Sequence, residues 1–413
     1  FASFSTYAMM TSNEQKQSNE APTPELPDEL VSEILTRLPV KSLLCFKCIS
    51  KAWRATISDP SFVRRHLKMS AACRWEQNPP FLITRHSLDD DGKGDIGFFQ
   101  WQQGTSEAWL VHSRDCTDYF NLVLLFPHCD GLVLVPTDTT AYLFNPAIRD
   151  VVTLPESSHD IVPPSLRPIG FGRDLRSGMY KVVQFFLRSR DDEFYNGVEV
   201  CIVGDPAPPQ WREIMADRRY TADPWVTAQS VNGGVYWIVH VDNYTSLEPH
   251  PRCLLRFGLD DEALSHIHLP SDPSDPEDDD NNVDKRFKLS VLQAELCLTA
   301  YRDRGPRYGH RLVVVWALME DEASFAWERR HTLNGMDPCH PIAFLPGTLL
   351  LWFYGKLCSY DLRSRELTDV CDFISWLRYR SHGSGELEPA WNSMPFFDVI
   401  PYTESLVPVS AHP

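Results

Sequence analysis

The sequence lacks a long hydrophobic run, and no stretch approaches the ~20 consecutive apolar residues that a helix needs to span a bilayer. Its first ten residues, FASFSTYAMM, are uncharged and lead into the polar TSNEQKQSNE, so no signal peptide is predicted. The 11 cysteines are odd in number and scattered over 413 residues, which is not typical of a disulfide framework. We therefore expect reduced cysteines, no membrane partner, and a location in the cytoplasm, the nucleus or both.

The sequence also lacks the signatures of catalytic sites: no GxSxG elbow, HExxH pair or P-loop occurs. Gly170 and Gly172 supply only part of a dinucleotide-binding turn. Cys45 and Cys48 have zinc-like spacing, but no second pair follows, so we expect them to be core residues of an apolar helix. No catalytic residue, cofactor or metal is predicted. A hydrolase site assembled from separate loops of a β domain is one alternative that the sequence leaves open.

Basic residues are in the minority, because 39 Lys and Arg stand against 56 Asp and Glu, for a net charge of −17. The distribution is uneven. Residues 24–68 carry eight basic and five acidic side chains, so the acidic excess lies in the rest of the chain. Since phosphate binding needs a basic face, nucleic acid is not an expected partner.

Residues 24–67, PELPDELVSEILTRLPVKSLLCFKCISKAWRATISDPSFVRRHL, predict four short helices. Leu30 and Ile34 recur at four-residue spacing in the first, and Ser50 and Asp59 are the expected N-caps of the third and fourth. So small a bundle is marginal alone and holds more large apolar residues than it can bury. Some of them should face another protein; the alternative is a helical lid packed on the next domain.

This stretch resembles an F-box over its whole length. The Leu-Pro opening, the EIL-x-RLP run, the KSLL-x-F-x-C-x-SK-x-W core and the late D-P-x-F all stand at the positions of that family. The resemblance implies docking onto the Skp-family adaptor of a cullin–RING ubiquitin ligase, and through it onto cullin. The adaptor-binding residues that it implies are Leu26, Pro27, Leu30, Ile34, Leu35, Leu38, Pro39, Leu43, Leu44, Phe46 and Trp53.

From Pro79 onward the sequence predicts an all-β domain, because short apolar runs alternate with Gly, Pro, Asp and Asn clusters. An imperfect repeat of glycine, strand, gap, strand, turn, strand and Leu-Pro occurs three times. Roughly 50 residues per unit over about 330 residues predict a six-bladed β-propeller, with a large irregular β-sandwich as the alternative. The last strand, at 396–402, should pair with an early strand to close the ring. FISWLRYR (373–380) is a candidate short helix.

Part of this β region resembles the F-box-associated, kelch-like domain of plant F-box proteins. The segments that carry the resemblance are CDGLVLV, AYLFNPAIRDVVTLP, GFGRDLRSGMYKVV, NGGVYWIV and RFGLDDEALSHIHLP, all within 129–270. The double glycine with Tyr and Trp that marks kelch repeats occurs only at Gly233, Gly234, Tyr236 and Trp237.

The expected organisation is a small all-α F-box module followed by an all-β, kelch-like propeller. The predicted parts are a disordered tail (1–23), the F-box (24–68), a linker (69–78) and the F-box-associated propeller-like domain (79–410) with an acidic loop (271–284). The β domain should fold without the F-box, because the junction at 68–78 crosses few predicted contacts. The resemblance implies a non-catalytic substrate receptor of an SCF-type ubiquitin ligase whose target protein the sequence does not name. An F-box scaffold that is not coupled to ubiquitylation is the alternative.

Overall fold

The structure is a computed structural model of the 413-residue chain. It describes residues 27–75, 79–88, 93–119, 126–137, 140–157, 168–190, 193–204, 208–214, 222, 226–239, 253–270, 286–303, 311–321, 324–353, 355–380, 387–389 and 396–410. The predicted disordered tail, Leu26 and the predicted acidic loop lie outside the described residues.

Four helices open the described chain, as the sequence predicts. They are α1 (Asp28–Thr36), α2 (Val40–Ile49), α3 (Lys51–Ser58) and α4 (Pro60–Trp75). The predicted N-caps are confirmed, because Ser50 Oγ accepts the backbone N–H of Ala52 at 3.2 Å and Asp59 Oδ1 accepts that of Ser61 at 2.8 Å. Helix α4 continues to Trp75, so most of the predicted linker 69–78 is helical.

The rest forms six sheets arranged as blades, which confirms the six-bladed propeller. Blade 1 contains β1 (Pro80–Leu88), β2 (Lys93–Gln102) and β3 (Glu107–Tyr119); blade 2 contains β4 (His128–Cys129), β5 (Leu132–Pro136), β6 (Ala141–Asn145) and β7 (Asp150–Thr153). Blade 3 contains β8 (Ile169–Arg173), β9 (Tyr180–Arg190), β10 (Glu193–Val203) and β11 (Trp211–Ile214); blade 4 contains β12 (Gln229–Val231), β13 (Gly234–Ile238), β14 (Cys253–Gly258) and β15 (Leu264–His268).

Blade 5 contains β16 (Arg286–Leu292), β17 (Glu295–Asp303), β18 (Arg311–Asp321) and β19 (Ser324–Asn334); blade 6 contains β20 (His340–Leu345), β21 (Thr348–Phe353), β22 (Lys356–Asp361) and β23 (Leu367–Asp372). Three late strands, β24 (Arg378–Arg380), β25 (Leu387–Pro389) and β26 (Phe396–Pro401), return to blade 1. Its order is therefore β25-β24-β3-β2-β1-β26. Among the described strands, all pairings are antiparallel except that of β24 with β3 in this blade.

The hydrophobic core is divided among the interfaces between neighbouring blades. Six buried clusters lie at the six interfaces, and Trp101 and Trp237 are among their largest side chains. Because a middle strand is covered by a blade on each side, β5, β6 and β13 are buried at every residue, which explains their continuous apolar runs.

The ring is closed by β26, as the sequence predicts. Phe81 of β1 pairs with Pro401, and Ile83 pairs with Val399, in an antiparallel register that runs over six residue pairs. The pairing makes β26 the innermost strand of blade 1, so one blade is assembled from both ends of the β domain. Full closure removes a sheet edge that would otherwise be open to a second chain.

Residues 373–376, expected to begin a short helix, form turns instead, and β24 follows them, so that prediction is wrong. Leu377 and Tyr379 are buried in the cluster between blades 6 and 1, and β24 runs parallel to β3. The apolar spacing that favoured a helix here comes from residues that fill an interface between two blades.

Two-residue turns with positive φ at both residues join the first two strands of blades 2, 4 and 5. In blades 2 and 4 they are Asp130-Gly131 and Asn232-Gly233, which are the preferred residues of a type I′ turn. In blade 5 the turn is Gln293-Ala294, with φ of 50° and 61°. Neither residue favours the left-handed region, so this turn is strained and its blade is harder to recognise in the sequence.

The double substitution Gln293→Asn with Ala294→Gly should stabilise the protein by about 1 kcal/mol, because it removes left-handed strain without changing a buried contact. Urea unfolding monitored by circular dichroism measures the change. The reciprocal substitution in blade 4, Asn232→Gln with Gly233→Ala, should destabilise the protein. An unchanged or lower free energy of unfolding for the blade 5 variant would contradict this explanation of the turn.

Candidate functional site

The helical module has its own small core, and that core extends into the propeller. Leu35, Val40, Leu43, Ile57 and Phe62 are buried together, and the same cluster includes Leu406, which is only 3% exposed. Ala147 and Ile148, in the turn between β6 and β7, pack against it as well. The helices are therefore packed on blade 2, through contacts that lie outside the junction at 68–78.

The contact is made by residues 402–410, here called the docking segment. Glu404 reaches the start of α2, where its Oε2 accepts the backbone N–H of Val40 at 3.1 Å. The α2 N-cap residue, Pro39, makes no side-chain capping bond. Glu404 therefore caps α2 in its place, at a terminus where backbone N–H groups have no partner within the helix and the helix dipole is positive. The docking segment thus supplies both an apolar side chain and a cap to the helices.

The docking segment is itself held by blade 2. Asn145 Nδ2 donates to the carbonyl oxygens of Ser405 and Val407 at 3.0 and 2.8 Å. Asp150 Oδ2 accepts the backbone N–H groups of Val409 and Ser410 at 2.8 and 3.1 Å. Through these bonds, side chains of blade 2 satisfy backbone groups of the docking segment that are not paired with a strand. The segment is therefore held in place although it forms no β-ladder.

Gly131 allows the docking segment to approach this closely. Its φ is +79°, and a Cβ at this position would lie 2.1 Å from the carbonyl oxygen of Thr403. A side chain here would therefore be strained and would also collide with the segment. The CDG and FNPAIRD stretches, which the sequence marks as turns, together form the surface that receives residues 402–410.

The side of the helical module that points away from its core is apolar and exposed. Leu30 and Ile34 of α1 are 52% and 51% exposed, and Ile49 of α2 is 72% exposed. Cys45 and Cys48 lie on the same outer side of α2 and are also exposed, so the expectation that they are core residues is wrong. We call Pro27, Leu30, Ile34, Cys45, Cys48 and Ile49 the exposed apolar set. Large exposed apolar residues on so small a module are typical of a protein-binding surface.

The structure separates the predicted adaptor-binding residues into groups. Pro27, Leu30, Ile34 and Pro39 are exposed; Leu38, Leu44, Phe46 and Trp53 are half-buried; Leu35 and Leu43 face the core; and Leu26 lies outside the described residues. Phe46 and Trp53 pack edge to face with ring centroids 4.8 Å apart. The exposed members are therefore accessible to a partner protein, whereas Leu35 and Leu43 support the surface from beneath.

A second site lies where the inner strands of blades 1, 2, 4, 5 and 6 converge on the propeller axis. They line a partly open cavity of about 60 Å³, here called the axial cavity. Its polar lining residues are His128, Thr227, Gln229, Ser290, His340 and Asp398. Asp398 Oδ1 accepts the backbone N–H of Val399 at 2.8 Å, and Oδ2 accepts that of Phe126 at 3.3 Å. Both carboxylate oxygens are thus occupied by the backbone.

Burial shifts the titration of the groups around the axial cavity. It raises the pKa of Asp398 to about 7, although the two backbone N–H groups and the charge of Lys288 act to lower it. Burial, with a smaller effect of Lys288, lowers the pKa of His340 to about 3, and burial lowers that of His128 to about 4. The Lys288 side chain reaches solvent, yet partial desolvation lowers the pKa of its ammonium, an effect that Asp398 opposes.

Comparison with known proteins matches both modules. Residues 89–335 match the family described as the F-box associated beta propeller domain, and residues 24–65 match the F-box domain. The first match covers more than half of the chain. The chain belongs to the F-box-associated β-propeller family.

Individual relatives agree with this membership. An F-box protein of Arabidopsis thaliana is 27% identical over 335 residues, which cover 75% of this chain and 67% of that protein. A second is 26% identical over 268 residues, and the alignment covers 62% of each protein. An F-box/kelch-repeat protein of the same plant is 28% identical over 230 residues, or 52% of this chain and 97% of that protein.

Similarity to solved structures is much weaker. A luciferin-regenerating enzyme matches with a TM-score of 0.30 and 10% identity, covering 77% of this chain and 91% of that one. Citrobacter koseri AztD matches with a TM-score of 0.30 and 9% identity over 78% and 98% of the two chains. Such distant likeness carries no argument about function.

The glycines of the GFGR stretch in this F-box-associated propeller have a packing role. A Cβ on Gly170 would lie 2.6 Å from Cβ of Ala228, and one on Gly172 would lie 2.0 Å from Oγ of Ser230. Blade 4 therefore approaches the backbone of β8 directly, which only glycine permits. The partial likeness to a dinucleotide-binding turn is explained by close blade packing.

Neither a metal-binding cluster nor a membrane-spanning helix is found in the parts of the chain that the structure describes. There, no three His, Cys, Asp or Glu side chains are grouped so that they could hold a metal ion, and no helix is long and apolar enough to cross a membrane. The nine cysteines whose side chains are described form no disulfide with one another.

Sequence reasoning missed the docking segment and the axial cavity. The segment contains few charges and no helical or strand periodicity, and its partners Asn145 and Asp150 lie about 260 residues earlier in the chain. The polar residues of the cavity come from five different blades. The one local signal was Asp398, an acid inside the otherwise apolar strand FFDVIP.

Leu406→Ala should loosen the helical module from the propeller. Leu-to-Ala changes at buried sites typically cost 2–5 kcal/mol, and here the loss falls on the contact between the two modules. Hydrogen exchange should accelerate at backbone amides of α1 and α2, while the strands of blades 3–5 keep their protection. Leu367→Ala, at an exposed site, is the control. Equal protection of α1 and α2 in both variants would show that Leu406 does not hold the module.

Asp398 should make the protein less stable as the pH rises from about 4 to about 7. A carboxyl whose folded-state pKa is raised binds its proton more tightly when folded, so its contribution is fully present below the unfolded pKa and is lost through the folded pKa. Lys288, His128 and His340 are the charged or titratable groups around it.

The Asp398→Asn variant should therefore show a flatter dependence of unfolding free energy on pH over this window, by up to about 1.4 kcal/mol per pH unit. Urea unfolding at a series of pH values measures it. Asp260→Asn, at an exposed position, controls for the change in net charge. Parallel curves for the wild type and Asp398→Asn would show that the buried carboxyl does not titrate as described.

Proposed function

We propose that this protein is the substrate-recognition subunit of an SCF-type (Skp–cullin–F-box) E3 ubiquitin ligase and is not itself catalytic. The F-box docks on a Skp-family adaptor, which joins it to cullin, and the propeller binds a target protein for ubiquitylation. The protein's own contribution is then proximity and orientation of the target. One observation carries the proposal. The exposed apolar set of the F-box is accessible to solvent, whereas the opposite side of the F-box packs against the propeller.

The exposed apolar set supports adaptor binding in chemical terms. Leu30 and Ile34 lie four residues apart on α1, so they stand one above the other on one helix face. Burying two such side chains in a partner's groove supplies several kcal/mol. Glu33 and Arg37 form an exposed ion pair at 2.7 Å beside them, which adds a polar rim to the apolar contact.

The position of the F-box favours the far end of the propeller for target binding. The F-box packs against the β6–β7 turn, and the docking segment crosses the β4–β5 turn at Gly131. In an antiparallel blade, the turns that join strands one to two and three to four lie at the same end. The opposite end, formed by the remaining connections, is thus the surface we assign to the target.

We also infer a kelch-like propeller of plant type that works in the cytoplasm, the nucleus or both. An F-box/kelch-repeat relative supports the first point, as does the Gly233-Gly234 pair, which turns into a strand where Tyr236 and Trp237 are buried. Free cysteines in the described chain agree with a reducing compartment.

The double substitution Leu30→Ala with Ile34→Ala should weaken binding to a Skp-family adaptor by about thirtyfold or more, because interface truncations of this kind cost roughly 2 kcal/mol or more. Neither residue belongs to the buried core, so the melting temperature should change little. Surface plasmon resonance with purified adaptor measures the affinity. Leu175→Ala, which removes an equally exposed leucine from the propeller, is the matched control.

Unchanged adaptor affinity in the double variant, with the same fold by circular dichroism, would overturn the ligase proposal. Cullin recovered with the adaptor in a pull-down would support a ligase subunit. Adaptor without cullin would favour an F-box scaffold that is not coupled to ubiquitylation. Comparing the proteins captured by the full chain and by a chain lacking residues 24–67, with the proteasome blocked, should enrich the target.

A further inference from the structure

The axial cavity holds a buried hydroxyl that the protein does not use. Ser290 is 7% exposed, and its hydroxyl has no hydrogen-bond partner among the described residues. Because buried polar groups in native proteins are almost always hydrogen-bonded, an unpaired one beside a cavity points to something that binds there. The cavity of about 60 Å³ has room for several water molecules or for one ligand of roughly three or four heavy atoms.

The charge in the wall of the axial cavity is negative. Asp398 carries the one carboxylate among the lining residues that the structure describes, and it is 6% exposed. Each of its oxygens accepts one backbone N–H, which leaves a second lone pair on each oxygen. Lys288 is exposed and is not a lining residue, so solvent screens its charge. The charged group that a ligand meets in this wall is therefore a carboxylate.

The other polar groups of the wall can accept hydrogen bonds. Burial lowers the pKa of His128 and of His340, so both imidazoles are neutral and each ring has one nitrogen that accepts. The Ser290 oxygen accepts as well as donates. An ammonium has three donors and no acceptor, so it matches such a wall. Apolar lining residues, among them Phe126 and Ile342, provide contacts for an alkyl group.

The axial cavity lies toward the end of the propeller that is opposite the F-box. His128, Gln229 and His340 are the first residues of β4, β12 and β20, which are the innermost strands of their blades. Each of these strands runs from that end toward the turn to its second strand, and in blade 2 this turn lies beside the docking segment. The cavity is thus close to the surface that we assign to the target. The net charge of −17 favours the approach of a cation.

From this arrangement we propose that the axial cavity binds a primary alkylammonium group, whose charge pairs with the Asp398 carboxylate and whose N–H groups donate to it and to the Ser290 hydroxyl. Burying an ammonium is costly unless an opposite charge and hydrogen bonds compensate, and the cavity supplies both. A cation bound beside Asp398 would also lower the raised pKa of that carboxyl and keep it ionised.

Two sources present the same ammonium atoms. One is a free small amine, and the other is a lysine side chain of a protein inserted along the axis. Only the second source rests on the proposed function, because it makes the inserted lysine part of the target.

The test uses ethylammonium as the probe with the full chain, and ligand-observed NMR as the readout. A ligand of three heavy atoms binds no more tightly than about 1 mM, a range that this method measures. Ethylammonium resonances should broaden in the presence of the protein at constant ionic strength. The resonances of ethanol and acetate, which are of similar size but neutral or anionic, should not.

Asp398→Asn and Ser290→Ala should each weaken ethylammonium binding by about tenfold or more, because each removes a hydrogen-bond acceptor for a charged ligand. Ser290→Ala deletes a hydroxyl that has no hydrogen-bond partner among the described residues, so it should leave folding intact. Asp260→Asn and Ser106→Ala make the same changes at exposed positions and should leave binding unchanged.

Acetylated and amidated Gly-Lys-Gly, tested alongside ethylammonium, distinguishes the two sources. Binding of ethylammonium alone supports a free amine, and binding of the peptide as well supports a lysine side chain. The double variant Leu30→Ala with Ile34→Ala should bind ethylammonium as the wild type does, so failure of the ligase proposal and failure of this one are distinguishable.

The proposal is overturned if ethylammonium does not bind, which would mean that the cavity holds only water. Equal binding of ethanol or acetate would overturn it too, because the charge of the ligand would then not matter. Unchanged affinity in Ser290→Ala or in Asp398→Asn, with the fold retained by circular dichroism, would have the same consequence.

Discussion

The pairing of β26 with β1 is the interaction on which the rest of the structure depends. It completes blade 1, closes the ring of six interfaces and places residues 402–410 beside blade 2. From there the docking segment carries Leu406 into the F-box core and Glu404 to the start of α2. Residues 396–410 therefore determine both the closure of the propeller and the position of the F-box on it. Their loss would leave the two modules joined by α4 and by the contact of Ala147 and Ile148 with the F-box core.

The resulting arrangement has a bearing on how a substrate receptor works. A ligase needs its target held at a fixed distance and angle from the transferring subunit, because proximity contributes only when geometry is maintained. A flexible linker between F-box and propeller would spread the target over many positions. In this chain, the core of the F-box and the Asn145 and Asp150 bonds make the connection a packed interface. We infer that the propeller and the exposed apolar set of the F-box move as one body.

Local signals in the sequence predict most of the architecture. The caps Ser50 and Asp59, the Asn232-Gly233 turn and the continuous apolar runs of middle strands each act over a few residues, so they can be recognised without the fold. Features that depend on distant parts of the chain cannot be recognised from the sequence in this way. Which residues of the apolar stripe on α1 are buried depends on the other three helices and on Leu406, and the residues that surround Asp398 come from separate blades. The Gln293-Ala294 turn cannot be predicted, for a different reason. Both of its residues adopt the left-handed backbone conformation, which they disfavour and which the fold imposes on them.

The bond between Val40 and Glu404 joins residues 364 positions apart, and this separation has a consequence for synthesis. At about 5–20 residues per second, roughly 20–70 s pass between the translation of α2 and that of the residue that caps it. During that interval the F-box has left the ribosome with one face of its core uncovered, and the first three strands of blade 1 lack their innermost partner. Until residues 402–410 are made, the apolar face of the F-box core that Leu406 and Val407 cover is open to contact with other proteins.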